Sequence, residues 1–152
     1  MKRKSKVGFM AAVLMLLVFT IPVKAENLTP EQQAQLNDYY QQAWQYLGQM
    51  HKNVNNLDKA HAIYQKALSL SPNNAQTCWK IAEILFKKAQ ETKDEKAAKE
   101  LYQQALISAQ KSEQINPKSV AALYWIGTCQ AKQAEMAGVF KAMGLVKSAK
   151  KN

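Results

Sequence analysis

The chain has 152 residues, and with 47% of them apolar it carries an ordinary globular share of hydrophobic side chains, enough for one packed domain. Its formal charge of +10 rests on lysine, because Arg3 is the single arginine. That excludes an arginine-rich, phosphate-reading surface and argues against a nucleic-acid-binding protein.

The first 25 residues read as a secretory leader. Lys2, Arg3, Lys4 and Lys6 form a positive start, Val7 to Ile21 an apolar run of 15 residues, and Val23-Lys24-Ala25 a small-residue processing site. A spanning helix needs about 20 apolar residues, so the run suits a cleaved signal better than an anchor. Cleavage after Ala25 is expected. The domain then occupies residues 26–152, is periplasmic or secreted, and has no stable membrane span once the leader is gone. Without the leader, 16 lysines face 11 carboxylates, and most of that excess lies in the tail beyond Ala131. The body is nearly neutral.

Thr29-Pro30-Glu31-Gln32 is a capping box with proline at the first helical position. The first helix is expected to begin there, run to about Lys52 and serve as a cap. Within it, Trp44, Leu47 and His51 lie on one helical face and are expected to form its buried stripe. Further on, Ala60, Tyr64 and Ala67 share a face of a second helix, and Pro72 with Asn73-Asn74 ends it. Gly48, Ala60 and Ala67 would let the two backbones approach closely.

The residues Trp44, Leu47, Gly48, Ala60, Tyr64, Ala67 and Pro72 stand at the spacing W-x2-L-G, A-x3-Y, P, which resembles the 34-residue tetratricopeptide repeat; only the aromatic expected at His51 is missing. The resemblance implies an all-α fold, a short α-solenoid of antiparallel helix hairpins with about six helices, and a scaffold that binds rather than transforms. The first repeat covers residues 41–74. A second, residues 75–119, places Cys78, Ile81, Ala82 and Leu85 in register but is 11 residues too long. Its signature appears twice, as Ala98, Tyr102 and Ala105 and, seven residues on, as Ala105, Ala109 and Ser112 before Pro117. Both helices of this repeat are therefore expected to be lengthened, with Thr92-Lys93-Asp94 as the turn between them. A partial third repeat, residues 120–152, starts behind a Ser119 cap with Leu123, Ile126 and Gly127. After Gly138 the chain either forms a short closing helix or is a repeat cut short.

Tyr124-Trp125-Ile126-Gly127 with Glu135, Gly138 and Lys141 is also similar, more loosely, to the T-component proteins of periplasmic TRAP transporters. Those proteins continue through further helices that have no counterpart here.

No catalytic constellation can be assembled, and His51 and His61 lack a third ligand at metal spacing, so neither an enzyme nor a metal or cofactor is expected. Cys78 and Cys129 lie at heights about 9 Å apart on neighbouring helices, too far for a bridge. The resemblance places the binding face on the first helices, at Gln42, Gln45, Gln49 and Lys52, then Gln76, Trp79, Glu83 and Phe86, then Ala121, Tyr124, Thr128 and Ala131. Of these, Gln45, Gln49, Trp79, Glu83, Phe86, Tyr124 and Thr128 are the candidate contacts. Two readings remain open for Trp79 and Phe86, an exposed aromatic anchor or ordinary core. The expected partner is a protein or extended peptide. The alternatives are an accessory ligand-binding component of a solute uptake system, or a homodimer formed through the unpaired C-terminal helix.

Overall fold

The structure, a computed structural model, describes residues 27–149, with side-chain surroundings as far as Gly138. The expected leader and its cleavage after Ala25 lie outside the described residues. Five helices follow one another: α1 (Pro30–Gly48), α2 (Asn55–Leu70), α3 (Ala75–Glu91), α4 (Glu95–Ile115) and α5 (Val120–Ala149). Among the described residues there is no strand, and the chain is an all-α array of helical hairpins.

The helix starts follow local chemistry. Thr29 and Gln32 form the reciprocal capping box, with Thr29 N–H donating to Gln32 Oε1 at 2.9 Å and Gln32 N–H to Thr29 Oγ1 at 3.2 Å. Such a cap contributes about 1 kcal/mol. Asn74, Asp94 and Ser119 cap α3, α4 and α5 in the same manner, accepting from the N–H groups of Thr77, Ala97 and Ala122. Thr92–Asp94 is the turn between α3 and α4, as the sequence suggested.

Two helix ends differ from expectation. The first helix stops at Gly48 rather than near Lys52, because Asn56 of α2 donates its side-chain amide to the Gln49 carbonyl at 3.0 Å and draws the chain into a reversal. The third repeat is one unbroken helix, α5, of 30 residues that passes through both Gly127 and Gly138. Among the described residues there are five helices.

Packing centres on α3, which buries Thr77, Cys78, Ile81, Ala82, Ile84, Leu85, Phe86 and Ala89 and so faces neighbours on nearly every side. Ala43, Ala60, Ala67, Ala82, Ala105, Ala109 and Ala122 are fully buried and let helices approach closely. Gly48 and Gly127 do not serve that purpose. A methyl group added at Gly48 or Gly127 would meet nothing within 4 Å, so the expected backbone crossing at Gly48 is absent and alanine alone carries it. Gly127→Ala, in mid-helix, is therefore expected to stabilise the fold by roughly 0.5–1 kcal/mol through backbone entropy, read as a raised thermal midpoint.

Cys78 and Cys129 are free and buried, as their offset implied. Burial pushes both thiols up, Cys129 to about 11, so neither is a ready nucleophile at neutral pH. Ellman's reagent should leave the native protein untouched and react with both thiols only after denaturation.

Candidate functional site: two grooves floored by tyrosines

The first two hairpins meet at a polar latch. Tyr40 of α1 donates its hydroxyl to Asn74 Oδ1 at 3.0 Å and shares a 2.7 Å hydrogen bond with Thr77 Oγ1. Asn74 and Thr77 are themselves joined through the α3 cap, so the latch ties α1 to a rigid point. Away from it α1 and α3 diverge, and no Cα of one lies within 8 Å of a Cα of the other. The gap is a groove. At the latched end it holds about 290 Å³ between Tyr40, Gln41, Trp44, Tyr64, Gln76 and Lys80. A further 170 Å³ continues past Trp44 and Leu47 to Met50, Glu83 and Lys87.

Trp44 is a large apolar side chain left 64% exposed in this groove. That overturns the expected buried stripe, because Trp44 and His51 both face solvent while Leu47 alone of the three is buried. The true stripe is Leu36, Ala43 and Leu47 with half-buried Tyr40, and Trp44 sits one position, about 100°, off it. Lys80 stands over the rings of both Trp44 and Trp79, at 5.3 and 4.3 Å, and pairs with Glu83 at 3.2 Å. Glu83 also meets Lys87 at 3.8 Å. The groove wall is thus an indole followed by a ladder of alternating charge.

The remaining candidates divide. Glu83 and Gln76 line the groove, Trp79 is half-buried beside it, and Gln45 and Gln49 are exposed but not among its lining residues. Phe86 is core: it is 8% exposed and packs edge-on against Tyr102 at 5.0 Å and tilted against Trp125 at 5.5 Å. Helices α4 and α5 cover it, which a single-repeat pattern does not anticipate. Tyr124 is exposed and leans on Trp125, while Thr128 spends its hydroxyl on the Tyr124 carbonyl at 2.8 Å. Phe86→Ala is expected to cost about 3–5 kcal/mol, whereas Trp44→Ala should leave the unfolding midpoint nearly unchanged.

A second groove repeats the first. Ala98, Tyr102 and Ala105 of α4 carry the same spacing as Ala60, Tyr64 and Ala67 of α2, and both tyrosines lie on groove floors. The second cavity, about 400 Å³, lies between the end of α3, the start of α4 and the middle of α5. Tyr64 and Tyr102 are 1% and 2% exposed, and neither hydroxyl bonds to another described residue. Burial, then the Glu83 carboxylate, then Tyr40 raise the Tyr64 hydroxyl well above the tyrosine range; burial raises Tyr102. Both stay protonated and able to donate.

The model of the family Regulator of microtubule dynamics protein 1-3 matches residues 40–152. The chain belongs to this family. The match begins at the latch residue Tyr40 and takes in both grooves, so the family's shared region is the grooved part of the molecule. No curated protein matches the chain significantly.

Among the described residues no three His, Cys, Asp or Glu side chains are placed to hold a metal ion, and no helix is long and apolar enough to cross a membrane. One titratable cluster stands at the α2–α3 junction, where Lys88 meets Asp58 at 2.6 Å beside half-buried His61. Burial, reinforced by Lys88 and opposed by Asp58, lowers the His61 pKa below its ordinary 6.5. The unfolded chain therefore takes up this proton first as pH falls. Stability is expected to drop as pH falls through about 6.5 and to level off below the folded-state value. His61→Gln should flatten that part of a urea-midpoint profile.

Proposed function

We propose that this family member is an exported helical scaffold that binds a partner protein or extended peptide along the face shared by α1, α3 and α5. The two hairpins that carry the Ala-x3-Tyr-x2-Ala spacing act as tetratricopeptide-like units, and the leader directs the chain out of the cytoplasm. The observation that carries the reading is Trp44, a 64% exposed indole set in the open α1–α3 groove. Large aromatics held on a rigid wall are the residues that anchor interfaces, and a folded chain that exposes one without a covering neighbour gains by docking it. The family is named for a regulator, and regulation by engaging another macromolecule needs a surface of this kind. A photo-crosslinking residue at Gln76, inside the groove, is expected to capture a discrete partner that the same residue at exposed Gln104 does not, and Trp44→Ala should abolish the capture. Equal capture from both positions would contradict the reading. N-terminal sequencing of the processed protein is expected to begin at Glu26.

A patch of exposed apolar side chains supports a second reading. Val120, Leu123 and Tyr124 at the start of α5, and Ile107 of α4, are exposed although apolar. Self-association through this patch predicts that Leu123→Glu lowers the mass seen by light scattering.

A further inference from the structure

The cavity floored by Tyr102 differs from the Trp44 groove in the charge of its rim. Its apolar base is Ala89, Ala98 and Met136, and its polar groups are Gln90, Thr92, Tyr102, Glu95, Lys132 and Glu135. The Thr92 hydroxyl is spent on the Lys88 carbonyl at 2.7 Å. Lys132 is spent on Glu135, with both carboxylate oxygens at 3.0 Å. Two carboxylates therefore face one ammonium, already held by one of them. The Lys132–Glu135 pair is solvent-exposed, and such pairs contribute little, so Glu135 can share its charge with an incoming cation.

The helix ends act in the same direction. The cavity opens at the C-terminus of α3, the negative end of its dipole, while the positive N-terminus of α4 is neutralised by the Asp94 cap and by Glu95 in the first turn. The independent observation is the Tyr102 hydroxyl. Its ring is 2% exposed, its oxygen makes no bond to any described residue, and it lies on the floor of a cavity whose other polar groups stand at the rim. No described side-chain oxygen or nitrogen is both sealed from solvent and unbonded, so this hydroxyl opens into the cavity with its hydrogen-bonding capacity available to an entering group.

We infer that this cavity receives the basic side chain of a partner peptide, with the alkyl stem on Ala89, Ala98 and Met136 and the ammonium or guanidinium between Glu95, Glu135 and the Tyr102 oxygen. About 400 Å³ is at the small end for a ligand site, enough for one long side chain and its flanking backbone. An amphipathic stem with a charged head matches a floor that is apolar and a rim that is acidic. This inference rests on the peptide-binding reading above, but it concerns a separate cavity.

The test is an amide chemical-shift titration of the full protein with three pentapeptides, centred on lysine, norleucine or glutamate, and with n-butylamine. The lysine peptide is expected to shift the amides of Ala89, Ala98 and Tyr102 and to bind at least tenfold tighter than the norleucine peptide. Tyr102→Phe should weaken it about five- to tenfold without altering the rest of the spectrum, since the hydroxyl supports no internal bond. The Glu95→Gln, Glu135→Gln double variant should weaken it further. Equal binding of norleucine or preference for glutamate would overturn the assignment, and n-butylamine binding as tightly as the peptide would assign the cavity to a free amine instead. Shifts confined to the Trp44 groove would sink this site and leave the scaffold reading standing; no shift in either groove would sink both.

Discussion

A helix that must bury Cys78, Ile81, Ala82, Ile84, Leu85, Phe86 and Ala89 around most of its circumference cannot lie at the edge of anything. Helix α3 is therefore enclosed by α2, α4 and α5, and the chain arranges its other helices around that requirement. The neighbours carry alanine where they must come closest and aromatic rings where a wider gap remains. Phe86, Tyr102 and Trp125 fill the space where α3, α4 and α5 meet. Because those three helices share one cluster, the second groove sits on a stiff base.

Helix α1 is outside that enclosure, and this is what opens the first groove. It packs on α2 and reaches α3 through the Tyr40 latch, whose hydroxyl meets both the side chain that caps α3 and a threonine in its first turn. Hydrogen bonds of this kind set position more than stability, each contributing on the order of 1 kcal/mol net. The latch holds the middle of α1 against the start of α3, and past it only side chains such as Trp44 and Lys80 approach across the gap. Trp44 then stands in solvent beside Lys80, Glu83 and Lys87 rather than inside the core.

The two grooves have a common plan and different electrostatics. Each lies between successive first helices, and each has a tyrosine from the intervening second helix as its floor. The first has an exposed indole and lysines on its wall, and the second an excess of carboxylate at its rim. A peptide crossing both would meet an aromatic platform and then an acidic cavity, which gives direction to an otherwise repetitive surface.

Much of this was legible in the chain. The capping residues Thr29, Asn74, Asp94 and Ser119, the prolines that follow α2 and α4, and the alanine spacing of α2 and α4 act within a few residues of themselves, so local chemistry determined the helix starts and the hairpin pairing. The stripe of Leu36, Ala43 and Leu47 was equally readable and would have put Trp44 outside. The repeat pattern pointed the other way because it assumes the next hairpin closes over the residue at Trp44. Burial of Phe86 and exposure of Trp44 depend on how far neighbouring helices lean together, a sum over contacts between segments distant in sequence. Likewise Gly48 looked like a crossing point, but whether another backbone arrives there is a property of the assembled array. An all-α chain of paired helices with small residues at their contacts follows from the order of residues alone, because those choices are local; which aromatics became core and which became groove came with the packed array, because interhelical separation is set by all the helices at once.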